Sequence, residues 1–422
     1  MAISAEARER RAAATIVVGA LLVIAIGTTW ERSRSNGRVP RSTGADRARG
    51  AVVLARVPAR AKDPVAVERE GLRAGLRGTP TDLPSALRLA RLDIATARER
   101  ADPRYLGRAE GELAPWWELP EPPSTVLLLR ATIRQARHEF EPALADLSRL
   151  VALSPDEPQA WLTRASVLTV RGRYVEALES CAHLTGVASE FVRVACRAPA
   201  LGVTGHLGQA AESLARVVGQ ATTLTEAVWA RAVLADLARW SGDVRGAEAL
   251  LRSSLAVAPN DGQARATLAD LLLDEGRGAE VAALVAGREE DDGLLLRKAL
   301  AKVKAAVSRA SGHPTAASMS PDATVTEMAA RFAASRLRGD RVHLREEARF
   351  TLATEPEPAR ALALARENWQ VQREPADARV LLEAALAAGD ARPAAPVLSW
   401  LEDTGMEWRL LRELASALLG HA

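Results

Sequence analysis

Histidine and cysteine are the side chains that most often bind metals or act as nucleophiles, and both are scarce in this sequence. The 422-residue chain contains six histidines and two cysteines. No two histidines lie three or four residues apart, so no pair could share a metal ion on one helix face. Motifs for nucleophilic serines, phosphate loops and dinucleotides are missing as well. The sequence therefore predicts no catalytic residue, no metal site and no cofactor.

The composition favours an all-α fold. Hydrophobic residues make up 48% of the chain but aromatic residues only 4%, so the core must be built from alanine, leucine and valine. Such residues suit closely packed helices better than a large sheet. Acidic and basic residues alternate and leave a net charge of +3. This balance is typical of solvated helix faces and argues against a nucleic-acid partner.

The first 50 residues have the pattern of a membrane-directed N-terminus. A basic segment at 1–11 precedes an uncharged stretch at 12–30, and a flexible linker follows at 31–50. The uncharged stretch is long enough to span a bilayer. Cleavage by a signal peptidase after Gly27 is an alternative, but Trp30 suits an interfacial anchor, and we favour a retained transmembrane anchor.

The orientation of this anchor stays open. Three arginines precede the apolar stretch and six follow it, so a positive-inside count would keep the body of the chain in the cytoplasm. Export-type N-termini usually place the body outside. We favour an inner-membrane anchor with the body in the periplasm of a bacterium.

Small apolar residues recur with a regular period in the middle of the chain. They stand at positions 143, 177, 210, 247 and 281, with spacings of 34, 33, 37 and 34 residues. Between 158 and 190, Trp161 and Ala165 mark a first helix, a turn follows at Gly172, and Ala177 marks a second helix. Pro199 falls inside a first helix, which it should kink or shorten.

This pattern resembles the tetratricopeptide repeat over residues 124–290. The resemblance implies antiparallel helix pairs stacked into a right-handed superhelical solenoid. Divergent helical repeats are expected at 51–123 and 291–422, where the solenoid should continue. The chain after the linker also resembles a group of proteobacterial tetratricopeptide-repeat proteins, in phrases such as DPRYLGRAEGELAPWW and NWQVQREPADARVLLEAAL. That second resemblance implies an exported location and no activity.

In tetratricopeptide repeats the first helix of each pair lines the concave face. The resemblance therefore implies a groove that binds a peptide or protein partner, with these candidate residues: Gln159, Ser166, Trp229, Asp236, Arg239, Trp240, Gln263, Asp270 and Asp274. Aromatic and charged side chains are plausible anchors for a peptide. The alternative is that Trp229 and Trp240 pack between repeats.

Three arginines and two cysteines allow two interpretations each. Arg130, Arg164 and Arg197 share one repeat position, and could form a ladder for acidic groups of a partner. We favour internal pairing with acids such as Asp146 or Glu179.

Cys181 and Cys196 lie on consecutive helices. They could form a disulfide if their α-carbons lie within about 7 Å, or be two buried apolar residues.

A membrane-tethered or exported scaffold without catalysis is the function that the sequence favours. An accessory subunit or enzyme of envelope metabolism, with an unrecognised site, is the alternative, and it predicts a pocket with convergent ionisable groups. A passive spacer would show a concave face no more distinctive than the convex one.

Overall fold

The computed structural model describes residues 64–100, 102–310, 322–355 and 358–420. These residues form helices and turns without any β-strand, which confirms the all-α prediction for this part of the chain. The predicted anchor at 12–30 and linker at 31–50 lie outside the described residues. Within the described ranges, no helix combines the length and the apolar character needed to cross a membrane.

Four helices precede the periodic region: α1 (Pro64–Gly78), α2 (Leu83–Arg100), α3 (Arg104–Glu112) and α4 (Ala114–Trp117). The side chain of Trp117 packs in a core that α2, α3 and α4 share with the next helix. Arg130 donates a hydrogen bond to the Trp117 carbonyl and pairs with Asp146 at 2.6 Å. The internal pairing predicted for Arg130 is confirmed. Arg164 contacts the Ser180 hydroxyl instead of Glu179.

Five helix pairs follow between residues 124 and 285. Their first helices are α5 (Ser124–Ala136), α7 (Pro158–Val170), α9 (Glu190–Val203), α11 (Leu224–Ser241) and α13 (Gly262–Asp274). Their second helices are α6 (Phe140–Leu153), α8 (Tyr174–Ala182), α10 (Leu207–Val217), α12 (Val244–Val257) and α14 (Gly278–Val285). Each pair buries alanine, leucine and valine between its helices, since small side chains let the backbones approach.

The turn inside each pair needs one residue in the left-handed region. Glycine supplies it in four pairs, with φ between 72° at Gly205 and 88° at Gly242, whereas His138 has φ 60° in the first pair. Helix α9 runs through Pro199, so the expected shortening of this helix is wrong. A different close approach shapes α9: a Cβ on Gly202 would lie 2.4 Å from Leu237 of α11.

Cys181 and Cys196 form a disulfide bond between α8 of one pair and α9 of the next. Their α-carbons are 5.8 Å apart, within the range that a disulfide requires. Of the two interpretations that the sequence left open, the structure therefore shows the disulfide rather than two separate buried cysteines.

Seven helices complete the described chain: α15 (Asp292–Ala310), α16 (Ala323–Leu337), α17 (Leu344–Thr354), α18 (Ala359–Val371), α19 (Pro375–Ala388), α20 (Ala395–Thr404) and α21 (Arg409–Gly420). The sequence predicts that divergent helical repeats continue the solenoid through this region. In the structure, helices α18–α21, the returning helices, also lie back against the turn edge of the second and third pairs.

The return is held by specific hydrogen bonds. The Arg373 backbone N–H donates to the Val170 carbonyl at 2.8 Å, and the Tyr174 hydroxyl donates to the Arg373 carbonyl at 3.1 Å. The Trp400 indole N–H then donates to the Tyr174 hydroxyl at 2.9 Å. One apolar cluster joins the two halves, with Val203 from the repeats and Trp369 from the returning helices. The C-terminal helices are therefore part of the same core.

We predict that replacing both cysteines by serine destabilises the chain by about 3 kcal/mol, because the bridge closes a loop of about 15 residues and so restricts the unfolded state. Denaturant unfolding of oxidised wild-type protein and of the double variant checks this. Wild-type protein treated with a reductant is the matched control and should behave like the variant. Equal unfolding midpoints in all three samples would contradict the prediction.

Candidate functional site

Five of the residues predicted for the groove line a single cavity of about 190 Å³ between the first helices of the second to fifth pairs. These are Ser166 of α7, Trp229, Asp236 and Trp240 of α11, and Gln263 of α13. The wall between them is mainly apolar, and includes Leu162, Ala165, Ala195 and Val233. Residues 373–375, which begin the return of the chain, form its remaining side.

Helix α11 contributes a continuous stripe to this cavity. Trp229, Val233, Asp236 and Trp240 are spaced by four, three and four residues, so they share one helix face. Trp229 is only 5% exposed and lies edge-on to Phe191, with 6.0 Å between ring centroids. Trp229 therefore packs between repeats, as the second interpretation has it, and it also lines the cavity. Its role as an anchor for a peptide stays a prediction.

Asp236 is the charged residue of the stripe. Its carboxylate makes no hydrogen bond or ion pair within the described residues. Burial among the surrounding helices raises the pKa of Asp236 to about 6, and the positive charge of Arg239 opposes this rise only in part. Arg239 itself pairs with Asp274 at 3.3 Å and lies 4.9 Å from the ring centroid of Trp408.

A neighbouring cavity of about 130 Å³ contains five arginines: Arg239, Arg297, Arg345, Arg349 and Arg379. Asp270 pairs with Arg297 at 2.7 Å and with Arg349 at 3.0 Å. Burial alone would raise the pKa of Asp270, but these two guanidiniums hold it well below its usual range. The cluster joins α11, α13 and α15 to α17 and to the returning helix α19.

Four of the predicted partner-binding residues are therefore engaged inside the molecule. Arg239, Asp270 and Asp274 fasten the C-terminal helices, and the amide of buried Gln159 donates to the Thr163 hydroxyl at 3.1 Å. The prediction that these four side chains bind a partner stays a prediction, and the structure adds their internal contacts to it. Ser166, Trp229, Asp236, Trp240 and Gln263 remain as the candidate site.

A third cavity, of about 440 Å³, lies between helices from both ends of the described chain. Arg98, Gln135, His138, Arg338 and Gln372 are among its lining residues. Burial lowers the pKa of His138 to about 4, so this imidazole is neutral near pH 7. No sequence signal pointed to this cavity, because its residues are far apart in the chain. In the described ranges, no group of three or more histidine, cysteine or acidic residues is placed to hold a metal ion.

Comparison with known proteins relates the chain to helical-repeat structures. No protein-family model matches the sequence, and no curated protein matches it. Among solved structures, the chain is similar to a tetratricopeptide repeat protein from Parabacteroides merdae ATCC 43184. Identity is 15% and the TM-score is 0.34, with 70% of this chain and 98% of that chain covered. It is also similar to the tetratricopeptide-repeat domain of P58(IPK). For this domain the identity is 16% and the TM-score is 0.20, with 81% of this chain and 98% of that chain covered.

We predict that Asp236→Asn stabilises the fold at about pH 8 and leaves its stability unchanged at about pH 4. The pKa of Asp236 is raised in the folded state, so the ionised carboxylate destabilises the fold. The fold therefore loses stability as the pH rises from the pKa of Asp236 in the unfolded chain through about 6. At about 1.4 kcal/mol per pKa unit, the gain in the variant is at most about 3 kcal/mol. Guanidinium unfolding at both pH values measures it.

Asp156→Asn is the matched control, since Asp156 is exposed in the turn before α7. This variant should follow the wild-type protein at both pH values. A gain for Asp236→Asn of the same size at about pH 4 and about pH 8 would show that the ionised carboxylate is not the cause.

Proposed function

We propose that this chain is a membrane-tethered, non-catalytic scaffold that holds a segment of a protein partner in the cavity lined by Ser166, Trp229, Asp236, Trp240 and Gln263. One observation carries the proposal. Helices α7, α11 and α13 bring two tryptophans, an unpaired carboxylate and two neutral polar side chains to one concave cavity. Aromatic anchors in a concave pocket are typical of sites that bind protein segments.

The size of the cavity favours a side chain as its occupant. Pockets for small molecules and cofactors usually enclose about 300–1,000 Å³. This cavity measures about 190 Å³, which suits one long side chain projecting from a partner. The apolar wall would bury the stem of such a side chain, and Ser166 and Gln263 offer hydrogen bonds near its end.

Binding explains the ionisable groups of this cavity better than catalysis does. Its other carboxylates are already engaged: Asp261 accepts a hydrogen bond from the Ala264 N–H at 2.9 Å, and Glu374 pairs with Arg345 at 3.0 Å. A general acid and base would both need to face the same substrate atom. Asp236 alone is free to receive a ligand group, so we favour the scaffold over the enzyme of envelope metabolism.

We further propose that residues 12–30 anchor the chain in the inner membrane and that its body is periplasmic. The uncharged segment and the resemblance to proteobacterial tetratricopeptide-repeat proteins support this location. The disulfide between Cys181 and Cys196 is a third, independent support, because disulfides persist mainly in oxidising compartments such as the periplasm.

A photo-crosslinking amino acid placed at Ser166 in the full chain tests the binding role in cells. We expect one discrete protein adduct from this position. The same group placed at Leu153, which is 63% exposed at the end of α6, should not give that adduct. Ala232→Phe, which puts a ring into the cavity, should remove the adduct from Ser166. An adduct that Ala232→Phe leaves intact, or no adduct at all, would rule out the proposed site.

Fractionation of cells that express the C-terminally tagged full chain tests the tether. The protein should sediment with membranes and resist alkaline carbonate, which removes peripheral proteins. Added protease should degrade the tagged body in spheroplasts but not in intact cells, as expected for a periplasmic body. Protection in spheroplasts that is lost on lysis would instead assign the body to the cytoplasm.

A further inference from the structure

The carboxylates next to the cavity already outnumber the guanidiniums without Asp236. In the cluster that fastens the C-terminal helices, the five guanidiniums of Arg239, Arg297, Arg345, Arg349 and Arg379 pair with six carboxylates, those of Asp270, Asp274, Glu346, Glu374, Asp377 and Glu383. Each arginine thus has at least one acidic partner. Asp236 is a seventh carboxylate, and no cation in this cluster remains to neutralise it.

The carboxylate of Asp236 lies between aromatic residues. Trp229 stands seven residues before it and Trp240 four residues after it, on the same face of α11 and in the same cavity. An indole face attracts cations through its quadrupole, and this attraction grows when water is excluded. A carboxylate adds a full opposite charge. The lining of the cavity carries one cation, Arg373, against the three carboxylates of Asp236, Asp261 and Glu374. Two indoles and an excess of carboxylates in a mainly apolar cavity are a combination that favours a cation over an anion or a neutral group.

The position of Trp240 is built into the packing of the repeats. A Cβ on Gly202 would lie 3.1 Å from the ring of Trp240 and 2.4 Å from Leu237, so a larger residue at 202 would push α11 away from α9. The glycine thus lets the indole lie against α9 at the side of the cavity. The aromatic wall is fixed before any ligand arrives, which lowers the entropic cost of binding.

We propose that the group bound in this cavity is the cationic side chain of a lysine or arginine of the partner, paired with Asp236 and stacked on the indoles of Trp229 and Trp240. This inference rests on the proposed scaffold function and names the chemistry of its partner. The aliphatic stem of the side chain lies along Leu162, Ala165 and Val233. Ser166 and Gln263 accept hydrogen bonds from its N–H groups.

The test uses the full chain with the crosslinking group at Ser166, in four backgrounds: wild type, Asp236→Asn, Asp236→Glu and Asp156→Asn. We expect Asp236→Asn to lower the yield of the adduct at least about tenfold, because it removes the opposite charge but keeps the shape. Asp236→Glu should recover part of the yield, and Asp156→Asn should match wild type. Since Asp236→Asn is expected to stabilise the fold, its loss of adduct would not reflect unfolding.

Competition with defined probes then separates charge from shape. Acetyl-Gly-Ala-Lys-Ala-Gly-amide and its arginine analogue should reduce the adduct, whereas the norleucine analogue, which keeps the stem without the charge, should not. Trp240→Leu should weaken the competition by the lysine peptide. Free lysine amide that competes as well as the peptide would assign the site to a small amine and overturn the partner side chain as occupant.

The outcomes distinguish this inference from the function on which it rests. An adduct in wild type that is equally strong in Asp236→Asn would overturn the cationic occupant but keep the scaffold. Equal competition by the lysine and norleucine peptides would do the same. No adduct in wild type would overturn the scaffold itself.

Discussion

Two aspartates of α13 hold the C-terminal part of the chain against the repeats. Asp270 and Asp274 each pair with two guanidiniums, contributed by α11, α15, α17 and α19. Removing one member of a largely buried ion pair leaves an uncompensated charge, at a cost of about 3–5 kcal/mol. These ion pairs add to the hydrogen bonds and the apolar cluster that hold the returning helices, and the cavity depends on the position of those helices, because residues 373–375 complete its wall.

This return changes how the molecule distributes its stability. In an open solenoid each repeat contacts only its neighbours, and stability is a sum of local terms. Here Tyr174 bonds to both Arg373 and Trp400, and Leu207 donates to Glu407 at 3.0 Å. The second and third helix pairs thus depend on residues about two hundred positions later. The disulfide between α8 and α9 lies in the same region. The helix pairs that the disulfide and these long-range hydrogen bonds stabilise therefore also line the cavity.

The helices were predictable because their signals are local. The first helix that Trp161 and Ala165 mark in the sequence is observed at Pro158–Val170, since capping and apolar spacing act within a few residues. The stripe Trp229, Asp236 and Trp240 was predictable for the same reason, as it lies on one helix. The return was not, because Tyr174 and Trp400 are 226 residues apart and follow no repeat period. The ion pair between Asp274 and Arg379 of α19 depends on that return, so no local pattern in the sequence predicts it.

The ribosome makes the helix pairs well before it makes the segment that returns to them. Arg373 reaches its partner Tyr174 across 199 residues of chain. At roughly 5–20 residues per second, a ribosome needs roughly 10–40 seconds to make that stretch. During this interval the helix pairs can already fold while the wall of residues 373–375 does not yet exist. A nascent chain therefore passes through a stage in which the cavity lacks this wall, and the cavity is completed only after residues 373–375 have been made.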